Sequence, residues 1–162
     1  MIADKVEHLT ATDLAPDMIG RAEGKLSQFS NVEVQIEDCY NTSFQEDMFD
    51  AVLLVNLLHI VKDPVTVLRE SRRVLKDDGR VVIADVTGYG MPFLSKMGLG
   101  LRYLRRWGMP TPYNRNLSPV KLAVLVKEAG FVVAEAKLIG RDTKAVCLIG
   151  QKVGREGIRG EK

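Results

Sequence analysis

Short apolar runs of strand length alternate along the chain with segments in which apolar residues recur every three or four positions. Residues 6–12, 32–36 and 49–55 are predicted as strands, and the near-continuous apolar run of the last one is typical of a strand covered on both faces. Pro16 suits the first turn of a helix between the first two strands. The apolar stripe of that helix is Met18, Ala22, Leu26 and Phe29.

The alternation continues through the second half. Asp63 and Pro64 predict the start of a helix that runs to Leu75, because an aspartate caps the first turn and a proline fits inside it. Residues 77–79 (Asp-Asp-Gly) predict a turn, and residues 80–86 predict another buried strand. The helix that ends at Leu75 is thus followed by a strand, as in the first half of the chain.

The last elements are a helix and two strands. Ser118 predicts a helix start and Gly130 its end. Residues 131–139 and 143–149 are predicted strands, and the three residues between them require antiparallel pairing. The whole order indicates an α/β sheet with helices on both faces and an antiparallel C-terminal strand pair.

Composition agrees with a single soluble domain. The chain has 162 residues, 46% hydrophobic and 27% charged, with a formal charge of +2, so it can form a core without disulfide or metal support. Cys39 and Cys147 lie in or beside apolar runs and are predicted to be free thiols in a reducing compartment. With no apolar run long enough for a membrane span, we expect a cytoplasmic protein. The domain is predicted over residues 1–151, with residues 152–162 as a disordered tail.

The charge is distributed unevenly. Residues 1–85 carry 9 basic and 16 acidic side chains, whereas residues 86–127 carry seven basic ones and no acidic one. Within this basic part, residues 88–116 are predicted as an insertion with an amphipathic helix over 91–107. The insertion fits a lid over a small-molecule pocket best, an anionic membrane surface next and nucleic acid least. Its candidate substrate or lid residues are aromatic: Tyr89, Phe93, Tyr103, Trp107 and Tyr113.

Polar residues follow several predicted strands, where ligands of open α/β sheets bind. They are Asp13, Asp38 with Cys39, Asn56 with His59, and Asp85 with Thr87. A carboxylate directly after a strand can accept both hydroxyls of a ribose, although an aspartate before a helix is more often its cap. His59 is a candidate base or substrate contact, with capping or packing as the alternative. The histidines and cysteines lack the spacing of zinc ligands, so no metal site is predicted.

Five segments together carry a resemblance to a known family. In this order and spacing the chain resembles the class I S-adenosylmethionine-dependent methyltransferases, especially their small-molecule and quinone-type branch. The segments lie at residues 13–18 (DLAPDM), 36–39 (IEDC), 49–52 (FDAV), 58–64 (LHIVKDP) and 73–80 (RVLKDDGR). The resemblance implies a Rossmann-like sheet and S-adenosylmethionine as cofactor.

The resemblance also implies roles for single residues. Asp13 matches the acid that binds the adenosine ribose, with Leu14 beside the adenine. Asp38 matches the acid that accepts the adenine amino group, and Cys39 lies where a backbone N–H meets the ring. Asn56 matches a position that lines the methionine side of the pocket.

One part of the family pattern is missing. The resemblance begins after the central strand and the glycine-rich loop with which these enzymes open, so we expect a domain truncated at the N-terminus with weak cofactor binding. The missing strand would lie between strands 6–12 and 49–55. Three outcomes are expected as alternatives: the two strands pair directly, a second copy or a complementing chain fills the gap, or the chain is a partial gene product. Self-association is favoured.

Two functions remain after this comparison. The first is a methyltransferase domain that acts on a small, lipophilic acceptor. The alternative is a non-catalytic, methyltransferase-like subunit that binds a partner protein or a membrane surface. The missing glycine-rich loop is the feature that separates them, and it favours the alternative for this chain taken alone.

Overall fold

A computed structural model describes residues 1–109 and 112–154. The chain divides into two compact units, residues 1–43 and the part from Phe44 onward. The first unit consists of a short 3-10 helix at Ala3–Lys5, strand β1 at Leu9–Asp13, helix α1 at Pro16–Leu26 and strand β2 at Val32–Ile36. Because α1 crosses over between them, β1 and β2 pair in parallel, with Leu9 opposite Val32.

Strand β1 begins three residues later than predicted. Its partner β2 starts at Val32, so the residues before Leu9 have no opposite residue in this ladder. Asn31 binds this segment instead, because its side-chain amide donates to the carbonyl oxygens of Ala3 and Val6, both at 2.9 Å. Strand β2 lies where it was predicted. Helix α1 begins at Pro16 as predicted but ends at Leu26, so Phe29 of the predicted stripe lies outside it. Its buried residue is Ile19, whereas Met18 of the predicted stripe is exposed.

The second unit contains a four-stranded mixed sheet in the order β3-β4-β6-β5. Strands β3 and β4 are parallel, and the β4–β6 and β6–β5 pairs are antiparallel. The predicted antiparallel C-terminal pair is therefore confirmed. The elements are β3 at Phe49–Val55, α2 at Pro64–Val74, β4 at Leu75–Thr87, α3 at Phe93–Trp107, α4 at Pro119–Glu128, β5 at Phe131–Ile139 and β6 at Lys144–Lys152.

The predicted turn at residues 77–79 lies inside strand β4 rather than before it. Phe49 pairs with Leu75 but Ala51 pairs with Arg80, so the residues between them on β4 bulge out of the ladder. Asp78 has a φ of 62°, which is typical of such a turn. The strand therefore starts at Leu75, where the prediction placed the end of helix α2.

The core of the second unit lies between helices α2 and α4 and one face of the sheet. Alternate residues of β4 and β6 are buried, among them Val81, Ile83 and Leu148, as are Leu68 of α2 and Leu122 of α4. Helix α2 contacts β4, and α4 contacts β6. Both helices begin as predicted, with the side chains of Asp63 and Ser118 accepting backbone N–H groups of the first turn.

Strand β3 differs from its prediction. It is an outer strand of its sheet, and Leu53 and Val55 on one of its faces are about half exposed, at 49% and 53%. The expectation that both faces of residues 49–55 are covered within the sheet is therefore wrong. The reason is that a continuous apolar run does not distinguish a central strand from an outer one.

The strand pairing bears on the expected closure of the sheet. In the described residues the strands form a two-stranded and a four-stranded sheet, and β1 is in one and β3 in the other. Direct pairing of these two strands, one of the expected solutions, is not found. Closure by a second copy or by a complementing chain stays a prediction.

Lys152, which was predicted to open the disordered tail, is the last residue of β6. It is only 7% exposed, and its ammonium group donates to the carboxylate of Asp47 and the carbonyl oxygen of Leu75. Val153 and Gly154 follow the strand, and residues 155–162 of the predicted tail lie outside the described residues. The carbonyl oxygen of Leu75 at the start of β4 is buried, and the lysine at the end of β6 supplies the donor that it requires.

Candidate functional site

Asp13 is the last residue of β1 and begins the turn into α1. Its Oδ1 accepts the backbone N–H of Ala15 at 2.9 Å, so the carboxylate does cap the turn. The side chain is exposed, and no group within the described residues donates a hydrogen bond to its Oδ2. Leu14 beside it is 64% exposed. Capping and ligand binding are therefore compatible at Asp13, because one carboxylate has several acceptor positions.

Asp38 repeats this arrangement after β2. Its Oδ1 accepts the backbone N–H of Tyr40 at 2.9 Å, and the side chain is exposed. The preceding Glu37 accepts the backbone N–H of Ser43 at 2.9 Å. The residues after β2 thus form a turn that is held by carboxylates.

Cys39 lies half-buried in the same turn. Burial raises the pKa of its thiol, the negative charges of Asp38 and Asp13 raise the pKa further, and a backbone hydrogen bond opposes them. A raised thiol pKa means that Cys39 is neutral at physiological pH. It is therefore suited to packing rather than to nucleophilic attack.

The reactivity of Cys39 provides a test of this electrostatic environment. We expect alkylation of Cys39 by iodoacetamide to be slow at pH 8 and to become several-fold faster in Asp38→Asn, because that substitution removes the larger of the two charges that raise the pKa. The rate of the Cys39→Ser variant gives the background from Cys147. Equal Cys39 rates in the wild type and in Asp38→Asn would contradict the assigned cause.

Asn56 follows β3 in the second unit and joins the ends of β3 and β4. Its backbone N–H donates to the carbonyl oxygen of Ala84 at 2.9 Å, and its Oδ1 accepts the N–H of Val86 at 3.1 Å. Its φ of 53° is in the left-handed region, which asparagine tolerates better than most residues. These contacts give Asn56 a structural role, and a ligand contact stays a prediction.

His59 and Asp85 form a close pair at the same end of the sheet. Nδ1 of His59 lies 2.7 Å from Oδ1 of Asp85. Asp85 is fully buried on β4, and its Oδ2 accepts the backbone N–H of Leu58 at 3.2 Å. The His59 side chain is 14% exposed, so part of its ring reaches the surface. An ionised carboxylate accepts only, so a proton on Nδ1 suits this contact, and Nε2 is an acceptor when the ring is neutral.

Arg115 holds the loop that carries His59. Its Nη1 donates to the carbonyl oxygens of Leu58 and Val61 at 3.0 and 2.7 Å, and its Nη2 donates to that of Lys62 at 3.1 Å. Its backbone N–H donates to the carbonyl oxygen of His59 at 2.9 Å. The guanidinium fork thus fixes both sides of the histidine.

The insertion is held at its two ends by Thr87. The Thr87 hydroxyl lies 2.7 Å from Oδ1 of Asn116 and 2.6 Å from the carbonyl oxygen of Leu117, and it accepts the N–H of Tyr89. Of the predicted lid residues, Tyr89, Phe93 and Tyr113 are exposed and Tyr103 is half-buried. The Trp107 side chain lies outside the described residues. A lid role for these aromatic residues stays a prediction.

One cavity of the second unit does not coincide with the His59 site. It has a volume of about 270 Å³ and is lined mainly by charged side chains from the segment before β3, from α2, from β4 and from the end of β6, including Arg72, Arg73 and Lys152. Neither Asn56 nor His59 lines it. Arg73 is already paired there with Glu70. We therefore assign this cavity no part in the candidate site.

Residues 1–109 and 112–154 hold no cluster of three metal-binding side chains.

Sequence reasoning placed His59 near the pocket but missed two residues that position it. Asp85 was identified only as a residue after a strand, and its contact with His59 spans 26 residues of sequence. Arg115 was counted among the cations of the basic insertion. The signal that could have found Asp85 is a lone carboxylate inside an otherwise apolar buried strand, which requires a partner.

Comparison with known proteins identifies the family. The profile of a family described as "Methyltransferase domain" matches residues 1–83. A highly reducing polyketide synthase of Pyrenophora dematioidea is 27% identical over 153 residues, which cover 88% of this chain and 6% of that protein. A ubiquinone biosynthesis O-methyltransferase of Xylella fastidiosa is 27% identical over 139 residues, covering 80% of this chain and 54% of the relative. The chain thus spans about half or less of these relatives.

The fold agrees with the sequence matches. A SAM-dependent methyltransferase of Methanosarcina mazei superposes with a TM-score of 0.70 at 18% identity, over 94% of this chain and 85% of that one. The Rossmann-like fold class predicted from the sequence is confirmed by this likeness, and the predicted family resemblance is confirmed by the profile match. The chain therefore belongs to the methyltransferase domain family, whose fold it shares with S-adenosylmethionine-dependent methyltransferases.

Proposed function

We propose that this domain transfers a methyl group from S-adenosylmethionine to a hydroxyl group of a small, lipophilic acceptor, with His59 as the general base. The observation that carries the proposal is the 2.7 Å contact between Nδ1 of His59 and the buried carboxylate of Asp85. A neutral histidine held in this way donates through one ring nitrogen and can accept a proton at the other, which is the requirement for a general base.

The pair can perform its part without large movement. Nε2 of His59 takes the proton of the acceptor hydroxyl while Nδ1–H continues to donate to Asp85. The carboxylate then stabilises the imidazolium that forms. A bound S-adenosylmethionine would supply the methyl group from its sulfonium sulfur, which would keep the electron pair of the broken bond. The oxygen that loses its proton to His59 forms the new bond to the methyl carbon.

The acidic residues of the first unit fit the adenosine part of the cofactor. Asp13 and Asp38 would bind the ribose hydroxyls and the adenine amino group, which are donors that suit carboxylate acceptors. Both side chains are exposed, and each uses Oδ1 in its own turn. Leu14 would contact the adenine with its exposed apolar side chain. The carboxylate acceptors and the apolar side chain of Leu14 therefore fit the hydrogen-bond donors and the adenine ring of the group.

The relatives and the exposed surface support the acceptor class. The Xylella relative is named as an O-methyltransferase of ubiquinone biosynthesis, and O-methyl transfer requires a hydroxyl acceptor. The insertion exposes the rings of Tyr89 and Tyr113, which suit an acceptor that is itself lipophilic.

Cofactor binding is expected to depend on Asp13. We expect weak binding of S-adenosylmethionine by isothermal calorimetry, and no detectable binding in Asp13→Ala, because a ribose contact through two hydroxyls is lost. Asp17→Ala is the matched control, since Asp17 is an exposed acid in the first turn of α1. Tight binding that is unchanged in Asp13→Ala would overturn the adenosine role of Asp13.

The function itself is tested by methyl transfer. The full chain is incubated with S-adenosylmethionine and phenol, catechol or hexylresorcinol, and the S-adenosylhomocysteine released is measured by mass spectrometry. We expect turnover to rise with the lipophilicity of the acceptor. The absence of turnover with every acceptor, in a chain that binds the cofactor, would overturn the proposal.

A further inference from the structure

Helix α3 carries a stripe of apolar side chains that faces away from the rest of the second unit. The stripe consists of Phe93, Leu94, Met97, Leu101 and Leu104, with exposed fractions from 46% to 78%. The spacing of these positions places them on one side of the helix. The half-buried residues Ser95, Leu99 and Tyr103 recur every four positions on another side. The helix therefore packs through one face and leaves a large apolar face uncovered.

Cations border this stripe on both sides. Lys96 lies three positions after Phe93 of the stripe, which makes the two side chains neighbours on the helix surface. Arg105 lies four positions after Leu101 and is a neighbour of it in the same way. Arg102 lies one turn before Arg105. All three side chains are exposed. Residues 86–127 contain seven basic residues and no acidic one, so no carboxylate of this segment neutralises the border.

We propose that α3 binds an anionic lipid surface, with its apolar stripe in the acyl boundary and Lys96, Arg102 and Arg105 at the headgroups. An apolar stripe flanked by cations is the arrangement of helices that lie in the plane of a membrane interface. No helix in the described part of the chain is long and apolar enough to cross a bilayer, and this binding requires none.

Other occupants fit the same surface less well. A second copy docked stripe to stripe would bring the cationic borders of both helices together, which costs energy. Nucleic acid would use the cations, but phosphate binding gains nothing from five large apolar side chains. A lid over a pocket would use the face with Leu99 and Tyr103, which is the one that packs, so it is compatible with an outer lipid-binding face.

The proposal does not rest on the proposed methyl transfer, because vesicle binding requires neither cofactor nor acceptor. The full chain is pelleted with vesicles of phosphatidylcholine alone and of phosphatidylcholine mixed with phosphatidylglycerol. We expect binding to the mixed vesicles only, with release as salt rises from about 0.1 M to about 1 M, since the Debye length falls from about 10 Å to about 3 Å.

Two variants separate the two contributions. Neutralising both arginines in Arg102→Gln/Arg105→Gln is expected to lower the partition coefficient about 25-fold, about fivefold for each cation. Leu101→Ser is expected to lower it about tenfold. Lys121→Gln and Val120→Ser, at exposed positions of α4, are the matched controls and are expected to bind like the wild type. Circular dichroism checks that the helix content is unchanged.

Three results would overturn the proposal. The wild type could fail to pellet with the mixed vesicles at low salt. Leu101→Ser could bind them as well as the wild type, which would leave charge alone as the cause. A DNA duplex could bind more tightly than the vesicles and compete them away, which would assign the cations to nucleic acid.

Discussion

Replacing His59 with alanine is expected to lower the rate of methyl transfer by about 10²- to 10⁴-fold, the usual contribution of a positioned general base. The imidazole is the described side-chain partner of the buried Asp85 carboxylate, so its removal is also expected to lower the free energy of unfolding. The rate is therefore compared under conditions in which circular dichroism shows that the variant is folded. The rate is measured as S-adenosylhomocysteine release with the acceptor that gives the highest wild-type turnover.

The control for this variant is the second histidine of the chain. His8 is exposed and lies 3.9 Å from Glu33, and His8→Ala is expected to keep the wild-type rate. Added imidazole is expected to restore part of the activity of His59→Ala, because a small base can enter the space of the lost ring. A His59→Ala variant as active as the wild type would exclude the proposed base.

The same argument makes Asp85→Asn informative. The buried N–H of Leu58 must keep an acceptor, so the amide oxygen of asparagine is expected to replace Oδ2. The amide nitrogen then faces Nδ1 of His59 and donates to it, which places the ring proton on Nε2. His59 would be present but unable to accept a proton. Full activity in this variant would show that the tautomer of His59 is irrelevant.

The second large effect is expected at Arg115. Arg115→Ala removes three donors from the carbonyl oxygens of Leu58, Val61 and Lys62, and we expect it to lower the free energy of unfolding by about 2 to 3 kcal/mol. Methyl transfer is expected to fall about tenfold as well, because the loop that carries His59 loses its support. Urea unfolding and the turnover assay give the two values.

Arg141 provides the comparison for Arg115. It is exposed in the loop between β5 and β6, and Arg141→Ala is expected to change the free energy of unfolding by less than about 0.5 kcal/mol. Arg115→Lys is expected to have an intermediate effect, since an ammonium keeps the charge but not the planar fork. If Arg115→Ala unfolds at the same urea concentration as Arg141→Ala, the carbonyl contacts do not stabilise the loop.

The local signals of the sequence were sufficient for most elements. The caps Asp63 and Ser118 start their helices as predicted, and each forms the expected contact within three residues. The turn at 77–79 is also present, because the left-handed conformation of Asp78 and the following glycine are local features. Predictions of this kind depend on neighbours along the chain, which the sequence contains directly.

The features that the sequence did not predict depend on distant contacts. The burial of Lys152 follows from its donation to Leu75, 77 residues earlier. The partial exposure of β3 depends on which strands lie beside it, and the role of Asp85 depends on a partner 26 residues away. For the candidate site, the positions of the polar residues near the ends of the strands were predicted from the sequence. The hydrogen-bond partners of these residues were not. Periodicity and spacing contain no information about such pairs.

The position of β6 between β4 and β5 has a consequence for the synthesis of the chain. Strand β4 is complete at Thr87, but its antiparallel neighbour is made of residues 144–152. Until the ribosome has added those residues, the edge of β4 that later pairs with β6 has no strand beside it. Helix α4 also lacks its contacts with β6 during this time. At about 5 to 20 residues per second, this interval lasts for several seconds. Between the synthesis of β4 and the synthesis of β6, the nascent chain therefore exposes an unpaired strand edge that a chaperone can protect from aggregation.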